Sequence, residues 1–126
     1  MPPIVLVMFG GALGAGARFG FGRWAAAALG SEWPYGTVGV NLIGGFAMGL
    51  LAGWLGTHAS GGREAWRLAL GVGVLGGFTT FSAFSLEVVT MLERGEAGSA
   101  IGYVAASVVG SCLALFTGLR LMRALA

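Results

Sequence analysis

Four apolar stretches separated by short polar dividers leave this chain few ways to fold. They cover about residues 4–28, 35–55, 68–92 and 99–121 of the 126. A helix needs about 20 consecutive apolar residues to cross the hydrocarbon core of a bilayer, and each stretch supplies them. Apolar residues make up 56% of the chain and charged residues 10%, with a mean hydropathy of +0.86. A soluble domain carries about 25% charged residues. The prediction is an all-α integral membrane protein, one four-helix transmembrane domain over residues 1–126. The dividers are Gly30-Ser31-Glu32-Trp33-Pro34, the polar loop at 57–67 and the charged turn Glu93-Arg94-Gly95-Glu96. The first stretch has no charged leader and no clear cleavage site, so it is expected to remain as a span.

The third stretch is interrupted. Gly76-Gly77-Phe78-Thr79-Thr80-Phe81-Ser82-Ala83-Phe84-Ser85 mixes glycine, hydroxyls and aromatic rings inside an apolar run. Adjacent glycines and β-branched threonines weaken a helix. Non-helical backbone at membrane depth survives only where it is buried in protein or lines a polar cavity. The spacing therefore predicts a third helix broken near the midplane, next to an ion or substrate site.

Charge is sparse and balanced. All seven basic residues are arginine and all five acids are glutamate. A net charge of +2 with no basic run is no footprint for nucleic acid. With four spans, both termini share a side with Arg63, Arg67, Arg120 and Arg123, and the opposite side holds Arg18, Arg23 and Arg94. Orientation follows the arginine and lysine bias of short loops, and four against three is almost none. Two readings follow: insertion in one orientation through weak cues, or insertion both ways, which permits an antiparallel dual-topology homodimer; the charge balance favours the second. The pairs Gly10/Gly14, Gly16/Gly20, Gly45/Gly49/Gly53, Gly73/Gly77 and Gly98/Gly102 have the small-xxx-small spacing that lets helices approach closely in lipid.

A few polar groups stand where lipid would penalise them. Asn41 lies mid-span, and an unpaired buried amide costs on the order of 2–7 kcal/mol. It is either a hydrogen bond between helices or a donor to a permeating anion. Tyr103, Ser107 and Ser111 recur at i, i+4 and i+8 along one stripe of the fourth span. Back-bonding to the preceding turn is the ordinary reading of such serines; a hydroxyl ladder along a pore is the alternative. Thr37, four residues before Asn41, extends a similar track. Phe78, Phe81 and Phe84 are spaced i, i+3, and ring edges carry partial positive charge. Glu87 is the carboxylate farthest inside a span, a functional candidate by default or the partner of an arginine such as Arg18. Arg18, toward the end of the first span, can simply snorkel to the interface. Cys112 reads as a buried inert thiol and His58 as a solvated loop residue. No nucleophile with a base and an orienting group occurs, which argues against an enzyme.

Three motifs occur in order. They are Gly10-Gly11-Ala12-Leu13-Gly14-Ala15 with Arg18-Phe19; Pro34-Tyr35-Gly36-Thr37 with Asn41-Leu42-Ile43-Gly44-Gly45; and Gly76-Gly77-Phe78-Thr79-Thr80-Phe81-Ser82 with Phe84-Ser85 and Glu87. Over nearly its full length the chain resembles the bacterial fluoride channels of the Fluc (CrcB) family. That resemblance implies a dual-topology antiparallel homodimer in the bacterial cytoplasmic membrane, with two fluoride pathways and one central structural sodium ion. It matches the sodium to the backbone carbonyls of Gly76 and Thr79. It matches Asn41 to an amide donor for fluoride, Phe81 and Phe84 to paired ring edges facing the anion, and Tyr103, Ser107 and Ser111 to a polar track. Thr80 and Ser82 are implied hydroxyl contributors. Arg18 matches an arginine near the aqueous entrance, and Glu87 the glutamate after the phenylalanines. Ala83 departs from the hydroxyl residue common in the family. The implied role is passive, electrogenic export of cytoplasmic fluoride.

Two other classes compete. Small proton-coupled multidrug exporters also have four spans and dual topology, but they carry a carboxylate in the first span; here that span holds only Arg18 and Arg23 as titratable side chains. Proton-coupled fluoride antiport is closer, but it would need a carboxylate relay, for which Glu87 alone is thin. A subunit that merely stabilises another assembly would explain the glycine faces but not the broken third span.

Overall fold

A computed structural model describes residues 1–57 and 62–125; His58 lies outside the described residues. Helix α1 runs Pro3–Leu29 and α2 runs Tyr35–Thr57. The third span, Arg63–Glu93, is assembled from pieces. A short α3 (Arg63–Trp66) leads into a π-helical segment (Arg67–Leu75), then α4 (Gly76–Phe78), a break, and α5 (Ser82–Glu93). Helix α6 is Ala97–Leu125. Four helical stretches are thus long and apolar enough to cross a membrane.

The ends of these helices follow local chemistry. Proline occupies the first turn of α1, where its missing N–H deprives the helix of nothing. Gly30 closes α1 at φ 87°, and Gly95 turns the chain between α5 and α6 at φ 78°. Both conformations are left-handed and favour glycine.

Packing is pairwise. The most extensive contact is α2 with α6, followed by α1 with the π-helical segment and α4. Glycine sets the closeness of both. A β-carbon on Gly10 would lie 2.5 Å from the Ala69 carbonyl oxygen and 3.0 Å from the α-carbon of Gly73. The other half of the third span, α5, packs on α6. There Phe84, Met91, Ala100 and Tyr103 form a buried cluster flanked by Trp33, Val38, Val88 and Val104. Large apolar side chains such as Leu13, Phe19, Ile101 and Leu113 point outward, as lipid-facing positions do.

Candidate functional site

The break begins where Thr79 leaves the helix at φ −84°, ψ 161°. Its own N–H and hydroxyl both bond the Leu75 carbonyl, at 3.0 and 2.9 Å, so the first half of the span ends with a satisfied turn. One residue on, the next backbone group turns to a neighbouring helix. The Thr80 N–H donates to Asn41 Oδ1 at 2.9 Å, and Asn41 Nδ2 donates to the Thr80 carbonyl at 3.1 Å. The side-chain amide thus pairs with both backbone groups of one residue, Thr80, as a second strand would. Those partners also fix which end of the amide is oxygen. A carboxamide has a second N–H beyond these two bonds.

Two further groups hold the break. The Arg18 guanidinium Nε donates to the Gly77 carbonyl at 3.2 Å. Arg18 therefore reaches inward to the third span, and the reading of a side chain snorkelling to the interface does not hold. Thr80 Oγ1 accepts the Ala83 N–H at 3.2 Å, capping the first turn of α5. Ser85 starts the regular ladder again, its N–H on the Phe81 carbonyl at 2.9 Å.

These diversions leave specific carbonyls without donors. In an uninterrupted helix Gly76 would receive the Thr80 N–H and Thr79 the Ala83 N–H. Asn41 takes the first and the Thr80 hydroxyl takes the second. Among the described residues the carbonyls of Gly76, Phe78 and Thr79 accept no hydrogen bond.

Two cavities meet at Thr80. The larger, about 640 Å³, is walled by Arg18, Arg23, Arg94, Glu32, Glu87 and Thr37 among others. Its wall gathers three arginines and two glutamates. At its edge the Tyr103 hydroxyl donates to Glu87 Oε1 at 2.8 Å. Glu87 thus pairs with a phenol; the ion pairs among the described residues are Arg67–Glu64 and Arg94–Glu96.

The smaller cavity, about 400 Å³, is lined by Asn41, Thr79, Thr80, Phe81, Phe84, Ser107 and Ser111, closed by Gly44, Gly45 and aliphatic side chains. The Phe81 and Phe84 rings are 5.5 Å apart and tilted by 47°. Phe84 is buried and Phe81 is 77% exposed. Phe84 also stacks against Tyr103 at 5.1 Å. The hydroxyls of Ser107 and Ser111 are buried and have no hydrogen-bond partner among the described residues. Back-bonding, the ordinary reading, is therefore not what these serines do, although Thr90, Thr117 and Ser85 do bond to the preceding turn. A buried hydroxyl without a partner costs about 1–3 kcal/mol and calls for an explanation such as a bound ion.

The residues singled out from the sequence are thus divided between two spaces. Asn41, Thr80, Phe81, Phe84, Ser107 and Ser111 share the smaller cavity; Arg18, Thr37, Glu87 and Thr80 share the larger. Tyr103 joins them through Glu87. Ser82 lines neither, with its hydroxyl 3.5 Å from that of Thr80. Phe78 is outside the smaller cavity's wall because the break destroys the i, i+3 register that would align it with Phe81. Cys112 is exposed and borders the same cavity, so the expected burial fails. Sequence reasoning missed the π-helical segment, whose i+5 bonding leaves no apolar period to read. It also missed Gly77 as the acceptor for Arg18.

Four spanning helices around a broken third one, with amide, hydroxyl and phenyl groups gathered at the break, define a multi-pass membrane protein with an internal polar site. The family model described as CrcB-like protein, Camphor Resistance (CrcB), matches residues 5–119. Similar proteins include one from Phenylobacterium zucineum, 54% identical over 98% of this chain and 97% of its own length. Another, from Novosphingobium aromaticivorans, is 51% identical over the whole of both chains. A third, from Hyphomonas neptunium, is 53% identical over 98% of this chain and 97% of its own. Each of the three is named fluoride-specific ion channel FluC. The chain belongs to the CrcB/FluC family.

Proposed function

We propose that this chain is a fluoride-selective channel giving passive, electrogenic export of fluoride, and not an enzyme. The observation that carries this reading is the pair of buried, unpartnered hydroxyls of Ser107 and Ser111 in a cavity shared with Asn41, Phe81 and Phe84. Fluoride is small and holds its hydration shell strongly. To enter a narrow track it must exchange water for other donors. The free N–H of Asn41, the two serine hydroxyls, the Thr80 hydroxyl and the positive edges of two phenyl rings are such donors. None is a formal cation, so the anion is held weakly enough to leave. Donors this closely spaced favour a small anion over chloride. The full names in the relatives' descriptions support the same ion.

In this reading the larger cavity is the aqueous entrance. Three arginines and two glutamates line it, and an excess of positive charge raises the local anion concentration. Thr80, common to both walls, stands where the anion sheds water. Tyr103 and Glu87 form the boundary between them, with Thr37 beside the entrance. Ser82 supplies a hydroxyl through its contact with Thr80. The pathway is completed by a second copy inserted in the opposite orientation, in the bacterial cytoplasmic membrane. A structural sodium ion fits at the break between the two copies. Hard cations take oxygen ligands, and the unpartnered carbonyls of Gly76 and Thr79 are of that kind. When bound, the ion would supply a fixed positive charge on the two-fold axis that ties the copies together.

The test is efflux from liposomes loaded with fluoride and containing purified protein. A fluoride electrode should report fast release on adding a potassium ionophore, while chloride-loaded vesicles release nothing. Release that needs a proton gradient, and ignores the ionophore, would replace the channel with a coupled transporter.

A further inference from the structure

We infer that Asn41 and the Thr80 hydroxyl are positioning residues for the cation site. They create it by taking the two backbone donors that would otherwise bond the Gly76 and Thr79 carbonyls. The inference rests on the sodium reading proposed above and extends it to two side chains that touch no cation.

The argument is an accounting of backbone donors around the break. A buried backbone carbonyl is nearly always paired. In a continuous third helix Gly76 would take the Thr80 N–H and Thr79 the Ala83 N–H. The Thr80 N–H instead meets Asn41 Oδ1 at 2.9 Å, and the Ala83 N–H meets Thr80 Oγ1 at 3.2 Å. Asn41 also holds the Thr80 carbonyl at 3.1 Å, so the two peptide groups that flank Thr80 are both tied to one side-chain amide. The neighbouring Gly77 carbonyl is spoken for by Arg18 and is therefore no competitor for the ion. The Gly76 and Thr79 carbonyls thus each have one identifiable side chain as the cause of their release. Asn41 at the same time borders the smaller cavity. One amide therefore serves the anion's wall with one N–H and the cation's ligands with its oxygen.

A consequence follows for Asn41→Ala. The Thr80 N–H loses its acceptor, and the nearest alternative in sequence is the Gly76 carbonyl. The helix heals by one turn and the cation loses a ligand. Thr80→Val, similar in shape but without a hydroxyl, returns the Ala83 N–H to Thr79. Thr80→Ser keeps the acceptor.

The experiment reads sodium, not fluoride. Full-length protein in detergent is titrated with sodium chloride against N-methylglucamine chloride at constant ionic strength. Thermal unfolding and the monomer–dimer distribution by light scattering are followed. The wild type should gain stability and dimer with sodium. Asn41→Ala and Thr80→Val should each need about tenfold more sodium for the same half-effect, the scale of one traded hydrogen bond, and Thr80→Ser should follow the wild type. If the wild type titrates and both variants titrate at its midpoint, the positioning role is overturned while the sodium site stands. If the wild type itself ignores sodium, the sodium reading falls and this inference with it. Should Asn41→Ala not fold, Thr80→Val against Thr80→Ser decides alone.

Discussion

At the residue scale the most telling groups are the two serines of α6. Ser107 and Ser111 bury hydroxyls that no group among the described residues bonds, whereas Thr117 on the same helix bonds the Leu113 carbonyl at 2.8 Å. Removing a hydroxyl that is already unsatisfied removes a penalty. Ser107→Ala and Ser111→Ala should therefore leave thermal stability in fluoride-free buffer unchanged or raise it by up to about 1 kcal/mol, and fluoride efflux from liposomes should fall severalfold. Stability that drops with flux intact would make them packing residues. The i, i+4, i+8 stripe made these positions visible in the sequence, because helical spacing alone places Tyr103, Ser107 and Ser111 on one face. That Tyr103 turns to Glu87 at 2.8 Å was not legible. Nor was the pairing of Asn41 with the Thr80 peptide, 39 residues away. The sequence offered Asn41 two roles, glue or anion donor. A carboxamide has enough hydrogen-bonding sites for both, and only the fold says where each one goes.

At the scale of elements, hydropathy and chain punctuation were sufficient to place four helices and the interruption of the third. The glycine pattern was less decisive. The same small-xxx-small spacing marks Gly10/Gly14 and Gly98/Gly102, yet the first pair meets the backbone of the third span while Gly98 and Gly102 have nothing within 4 Å of an added β-carbon. Spacing identifies a face that permits close approach; it does not identify the face that is used. The difference is measurable. Gly10→Ala sets a methyl 2.5 Å from the Ala69 carbonyl oxygen and 2.9 Å from the Val74 nitrogen, backbone atoms that cannot rotate aside. Overpacking of this kind costs about 1–3 kcal/mol. Gly98→Ala meets nothing and gains up to about 1 kcal/mol of helix propensity. Thermal unfolding in detergent should rank Gly10→Ala well below the wild type and Gly98→Ala at or above it. The π-helical segment belongs to the same contact, since Gly73 lies within it and faces Gly10. Extra residues per turn re-aim the span before the break, and no periodicity in the side chains announces them.

At the scale of the whole molecule the deciding quantity is charge placement. Arg18, Arg23 and Arg94 line one cavity and so share one end of the bundle; Arg63, Arg67, Arg120 and Arg123 belong to the loop side that both termini share. Near-equality gives the insertion machinery no instruction, and the proposed dimer needs copies in both orientations. A small bias should therefore be enough to break function without touching the site. The turn between α5 and α6 is the place to apply it, because Glu93 and Glu96 are exposed there and Glu96 meets Arg94 only loosely, at 3.8 Å. Glu93→Lys with Glu96→Lys, combined with Arg120→Gln and Arg123→Gln, leaves five cations on the three-arginine side against two on the other and should drive the five-cation side to the cytoplasm in nearly every copy. Expressed alone, this variant should lose fluoride efflux from cells. Rescue should come from co-expression with a chain biased the other way at exposed positions outside both cavities, Glu64→Lys with Leu125→Lys, which leaves six cations against three. Cysteine-accessibility labelling at each loop reports the orientation directly. Full efflux from the singly oriented five-against-two chain, expressed alone, would mean that antiparallel pairing is not required.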